Sequence, residues 1–225
     1  VYVITADQVD SRNRPDIVAS ALDDLNRRYA DRLELPVDRN AGDELQALTR
    51  SADAAVDLVL HLTRRGAWSV GLGIGAVRTP LPDATRKAAG DAFVAARDAV
   101  TRAKRAPTRF AAASVASGAA GAAGAAGAAG AAEQDAADVE ALMNLLLTVR
   151  AERSDAGWEL YDLLETGLTQ AEAGARLGIT PQSANDRARV ANLRVEQSAV
   201  PALTRLVARA DEAGHDDDGR RTEKA

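Results

Sequence analysis

From Ser114 to Ala132 the chain gives up patterning for low complexity: Gly118, Gly121, Gly124, Gly127 and Gly130 fall at every third place with alanine between them. The stretch lacks the proline of a collagen repeat, and glycine at that frequency weakens the helix that alanine alone would favour. It reads as a flexible or partly helical tether, spanning on the order of 25 Å as a coil. A tether there divides the 225 residues into one domain over 1–113 and a second over 133–210, with a tail over 211–225. Each domain is long enough to bury its own core. The tail, where Asp216, Asp217 and Asp218 precede Arg220 and Arg221, has the composition of disordered chain.

Ahead of the tether, short apolar runs alternate with helical patterns. A strand over 1–6 ends at Asp7, and a helix follows in which Ile17, Val18, Ala21, Leu22, Leu25 and Tyr29 keep the 3.6-residue period, with Pro15 in its first turn. Two strands, 33–37 and 44–48, flank a turn at Arg39-Asn40-Ala41-Gly42. A helix over 52–65, a strand over 68–77, a helix over 83–104 and a strand over 108–112 complete the order β-α-β-β-α-β-α-β. A hairpin between two β-α units predicts an α+β domain of ferredoxin-like, palm type, with its helices packed on one face of the sheet.

Beyond the tether only helical patterns occur, so this domain is all-α. The first helix, over 135–150, carries Val139, Leu142, Met143, Leu146 and Leu147 inward. From Asp155 three shorter helices are punctuated in sequence. Trp158, Leu160, Tyr161, Leu163 and Leu164 give the first an apolar face, which Gly167 ends. Thr169 then caps a short second helix that opens at Gln170 and runs to Leu177, and Glu172 completes a capping box. Gly178 supplies a turn, Ile179 plugs the core, and Thr180 caps a third helix that begins with Pro181. These are the parts of a helix-turn-helix in order.

In such a motif the first residues of the third helix face base edges. Here they are Gln182, Ser183, Asn185 and Asp186. Gln and Asn can pair bidentately with adenine, and Ser suits several bases. Arg187, Arg189 and Arg194 can reach phosphates, and from Pro181 to Val195 three arginines against one aspartate leave a charge of +2. The motif resembles those of sigma-factor-like and LuxR-like regulators, which commonly carry a larger residue where this chain has Gly174.

The net charge of −5 excludes a protein that coats nucleic acid without specificity, since that mode depends on neutralising many phosphates. Aromatic residues are only 3% of the chain, so the cores should be small and aliphatic. With no cysteine and two histidines, thiol chemistry, thiolate zinc and a histidine-built metal site are all disfavoured. No apolar run approaches the roughly 20 residues that span a bilayer, and the start lacks a signal pattern, so the expected location is cytoplasmic.

Asp7 at a strand end and Gly42-Asp43-Glu44 at the hairpin would meet on one edge of the predicted sheet, where clustered carboxylates can hold Mg²⁺ beside a substrate phosphate. Together with Val70-Gly71-Leu72-Gly73-Ile74-Gly75 and Gly90-Asp91-Ala92-Phe93-Val94-Ala95-Ala96-Arg97, these residues resemble the palm of class III nucleotidyl cyclases and GGDEF proteins. The resemblance implies metal ligands at Asp7 and Asp43 with Glu44 as a further candidate, and nucleotide contacts at Gly42 and Arg97. Phe93 stands about where cyclases carry Asn, and Asn40-Ala41-Gly42-Asp43-Glu44 lacks the first Gly and the Phe of a GGDEF signature. Across nearly its whole length, the pairing of such a domain, including Gly42-Asp43-Glu44-Leu45-Gln46-Ala47, with a carboxy-terminal helix-turn-helix resembles the SatD family of bacterial proteins.

The expectation is a sequence-specific reader of double-stranded DNA, a transcriptional regulator acting as a homodimer, whose first domain dimerises and can bind a nucleotide with Mg²⁺. The alternatives are a Mg²⁺-dependent nucleotidyl transferase or cyclase with a helical appendage, and a protein-interaction module in which both motifs are degenerate.

Overall fold

The computed structural model describes residues 1–115 and 124–215, with side chains over 1–115 and 130–212. Most of the tail and the middle of the tether, 116–123, lie outside the described residues. The chain is a mixed α+β protein with two compact units, one of residues 1–144 with the stretch from Leu203, the other Leu145–Ala202.

The first unit is built on a five-stranded sheet. Its strands are β1 (Tyr2–Gln8), β2 (Leu35–Ala41), β3 (Glu44–Thr49), β4 (Trp68–Ile74) and β5 (Phe110–Ser114), in the order β2-β3-β1-β4-β5. All neighbours are antiparallel except β4 and β5, which run parallel. The connections carry α1 (Val18–Tyr29), α2 (Ala52–Thr63) and α3 (Asp91–Ala103). The β2–β3 turn falls on Gly42 and Asp43, later than Arg39–Gly42, because β2 keeps its pairing as far as Ala41 and Gly42 adopts the positive φ (+32°) of the turn.

Strand alternation decides where the helices go. Gln8 accepts from the Ile17 N–H (3.2 Å) and donates to the Pro15 carbonyl (2.7 Å), so the face with Tyr2, Ile4, Ala6 and Gln8 receives α1. Tyr29 of α1 meets His61 of α2 edge to face, and Arg32 pairs with Asp57 and Asp53, which places α2 on that same face. Val3 and Leu48, on the opposite face, cluster with Ala92 and Ala96 of α3. The helices therefore cover both faces, which corrects the expectation of one. The physical reason is Gly71 and Gly73. They leave the β4 backbone bare on the α3 side, and a Cβ there would lie 2.3 Å from the Val100 nitrogen or 2.1 Å from the Ala92 carbonyl oxygen.

The helix expected over 83–104 is shortened to Asp91–Ala103. Pro80 and Pro82 remove backbone donors, and Gly90, at φ +146°, sits so close to Ala76 that no side chain would fit; only a short 3₁₀ turn, Thr85–Lys87, forms earlier. The exposed edge of β5 is closed by side chains. Glu140 accepts from the Ala112 N–H (2.9 Å), Arg102 donates to the Ala112 carbonyl, and the two side chains pair at 2.7 Å. An ion pair thus covers an edge that would otherwise offer its hydrogen bonds to another strand.

The remaining helices are α4 (Gly124–Ala151), α5 (Asp155–Glu165), α6 (Gln170–Arg176), α7 (Pro181–Val190) and α8 (Leu193–His215). Of the two conformations open to the tether, the stretch from Gly124 to Ala132 takes the helical one, as the start of α4. No helix among the described residues is long and apolar enough to cross a membrane.

Candidate nucleic-acid interface

In the second unit, α5, α6 and α7 are separated by short breaks, each with a local cause. Ser154 caps α5 by accepting from the Gly157 N–H (3.3 Å). Thr169 accepts from the Glu172 N–H (3.3 Å) while the Glu172 carboxylate takes the Thr169 N–H (2.7 Å), closing the capping box; the Thr169 hydroxyl, which also donates to that carboxylate (2.7 Å), and then the Thr169 N–H hold the carboxyl below its usual range. Thr180 caps α7 through the Ser183 N–H (3.1 Å), with Pro181 in the first turn. Each helix ends on a left-handed residue just beyond its cap: Gly167 (φ +87°), Gly178 (φ +68°) and Asn192 (φ +56°).

The third helix, for which patterning set no end, stops at Val190 because Asn192 takes the left-handed conformation that asparagine tolerates better than most residues. Arg194 consequently lies at the start of α8, exposed, and not on α7.

Leu160, Ala173, Ala188, Ala191 and Leu193 form the buried centre of the three helices, with Tyr161, Leu163, Leu164, Leu168 and Leu177 around it. Small residues set the spacing: a Cβ on Gly174 would stand 3.0 Å from the Ala184 Cβ, so α6 and α7 pack at near-minimal distance. With Ala184 and Ala188 turned inward, α7 exposes Gln182, Ser183, Asn185 and Arg189, while Asp186 and Arg187 are partly covered. Gln182 donates to Asp186 (3.4 Å), Arg189 pairs with the other oxygen of Asp186 (3.5 Å), and Arg187 faces Glu159 of α5 at 3.7 Å. Thr169 and Thr180 are exposed at the two helix starts, and Gln170 is half-buried at the first position of α6.

A group that patterning alone missed sits behind this surface. Glu196 of α8 is buried between Arg150 and Arg153, with ion pairs to both. Arg153 also donates to the Ala191 carbonyl (3.1 Å), and the two guanidinium carbons lie 4.9 and 4.3 Å from the Trp158 ring centre. Cation–π contact with a partly desolvated indole complements the charge pairing. Arg150 and Arg153, three places apart near the end of a long helix, look in sequence like any solvated charges. The aromatic pair Trp158–Tyr161 (5.4 Å, edge to face) was the available signal.

The residues proposed for Mg²⁺ and nucleotide occupy the sheet unit. Asp7 and Glu44 are directly opposed across β1 and β3, as the hairpin reading requires. Their carboxylates are engaged separately: Asp7 by the Lys104 ammonium (2.7 Å), Glu44 by Asn40 (2.5 Å) and Asp43 by the Ser11 hydroxyl. Among the described residues no group of three acidic, histidine or cysteine side chains is placed to hold a metal ion. Gly42 is exposed at the hairpin turn, and Arg97 is exposed on α3. A cleft of about 650 Å³ between α3, β5 and α4 is lined, among the described residues, by Asp98, Glu133 and Glu140 against one cation, Arg102, a charge balance that disfavours a phosphate.

Compared with protein-family models, curated proteins and solved structures, the chain has no match.

Proposed function

We propose that this protein reads double-stranded DNA in a sequence-specific manner as a transcriptional regulator, with α5, α6 and α7 forming a helix-turn-helix and α7 entering the major groove. The observation that carries the reading is the division of α7. Ala184 and Ala188 anchor it against its neighbours, while Gln182, Ser183 and Asn185 stand exposed over its first half. Those three side chains are donors and acceptors suited to base edges, in the half of the helix that a helix-turn-helix presents to them. Arg187 and exposed Arg194 supply the cationic border.

In this proposal the sheet unit is a ferredoxin-like, palm-type domain that joins two copies. One copy carries a weakly basic reading surface, and a homodimer doubles the phosphate contacts without adding charge to the chain. The resemblance to the SatD family belongs to the same reading. Of the nucleotide-binding and metal-binding roles, the separate engagement of Asp7, Asp43 and Glu44 supports a scaffold more than a catalytic palm.

The test is equilibrium binding of the full chain to labelled duplexes across a salt series. Binding that weakens with salt is expected. Arg187→Ala combined with Arg194→Ala should weaken it for every sequence and take about 2 off the magnitude of the log–log salt slope. Failure to bind any duplex at low ionic strength would sink the proposal.

A further inference from the structure

We infer that Asp186 sets which bases α7 reads, by holding Gln182 and Arg189 in one row and accepting from a base itself; this rests on the DNA-reading proposal above. Asp186 lies four places after Gln182 and three before Arg189, so the three side chains share one stripe of the helix. That stripe points away from buried Ala184 and Ala188, toward whatever α7 meets. The Gln182 amide donates to one carboxylate oxygen (3.4 Å) and the Arg189 guanidinium to the other (3.5 Å). An aspartate in the centre of a surface that must approach phosphates is unfavourable unless it earns its place through bases.

The remaining hydrogen-bond capacity fits that role. After one N–H is given to Asp186, Gln182 keeps a second N–H and its carbonyl, the pair that matches N7 and the N6 amine of adenine. Arg189 keeps N–H groups on its guanidinium for O6 and N7 of guanine, so it acts as a base reader where sequence alone assigned it to phosphate. Each Asp186 oxygen retains a lone pair, and the one base group in the major groove that a carboxylate favours strongly is the N4 amine of cytosine. The ligand is therefore duplex DNA whose half-site contains adenine, cytosine and guanine edges within reach of one helix, and an A·T-only site is disfavoured.

The experiment is selection of bound sequences from a randomised duplex library by the full chain, followed by affinity measurements on the selected site and single-base variants. The wild type should enrich a half-site of that composition. Asp186→Ala and Asp186→Asn should keep or raise affinity for unselected DNA, since a negative charge is lost. Both should lose about tenfold discrimination at the cytosine position, with a smaller loss at its neighbours. Arg194→Ala, beyond the row, should weaken binding without changing the preferred sequence. An unchanged preference in both Asp186 variants overturns this inference and leaves the DNA-reading function standing. Enrichment of an A·T-only site overturns it too. A wild type that binds duplexes but enriches nothing overturns both.

Discussion

The two units bring their elements together at different spacings and secure them differently. In the sheet unit, α3 lies on β4 with backbone against backbone: the space beside Gly73 is closed by the Ala92 carbonyl and the Ala96 nitrogen at 2.1 and 2.4 Å from where a Cβ would be. In the helical unit, the one tight neighbour of a Cβ on Gly174 would be the Ala184 methyl, at 3.0 Å, with Ile179 at ordinary contact distance. The first contact cannot yield without moving two main chains; the second yields if one methyl shifts by a few tenths of an ångström. The helical unit adds a carboxylate buried between two guanidiniums, which the described residues of the sheet unit do not have. A small interior with few large side chains gains definition from such a cluster, because each charge restricts where its partner can lie.

Each unit has its own tryptophan, buried Trp68 in β4 and Trp158 in α5, so variants keeping one of the two report each unfolding transition separately. The largest effect is expected at Glu196. Glu196→Ala leaves two arginines buried without their shared carboxylate, and should cost about 3–5 kcal/mol in urea unfolding followed by Trp158. A loss under about 1 kcal/mol would mean that Arg150 and Arg153 are held by the Trp158 and Tyr161 rings alone. Next comes Gly73→Ala, at about 3 kcal/mol or more on the Trp68 transition, because the added methyl meets backbone and has no flexible neighbour to displace. The smallest is Gly174→Ala. It recovers about 1 kcal/mol of helix propensity and loses a comparable amount to the Ala184 contact, so the Trp158 midpoint should move by less than about 1 kcal/mol. A loss as large as that of Gly73→Ala would erase the distinction between the two contacts.

The glycines themselves illustrate how far sequence can be read. Gly167 and Gly178 stand where helical periodicity stops, so their role in ending α5 and α6 was legible. Asn192 plays the same part after α7, but asparagine is a weaker signal than glycine, and the end of that helix was not legible. Gly174 stands with Ala171, Ala173 and Ala175 in a helix whose small side chains admit a close neighbour, and only the structure identifies that neighbour as Ala184. In the sheet, the order of elements and the adjacency of Asp7 to the hairpin followed from patterning and connectivity. What Asp7 touches did not: Lys104 reaches it across 97 residues of chain, and nothing local announces the pair.

By itself, then, the sequence determined the elements and their punctuation: the alternation in β1, the capping box of Thr169 and Glu172, the Thr180-Pro181 start of α7, and polar side chains over the first turns of that helix. Those features depend on hydrogen bonds and side-chain directions within about four residues, which composition and spacing record. Only the tertiary structure decided that α3 covers the face opposite α1 and α2, that β5 runs parallel to β4 with its edge closed by Arg102 and Glu140, and that Glu196 is buried between arginines 46 and 43 residues away. These depend on how closely distant segments approach once packed, a distance set by glycines and alanines whose small size is uninformative until the neighbour they admit is known.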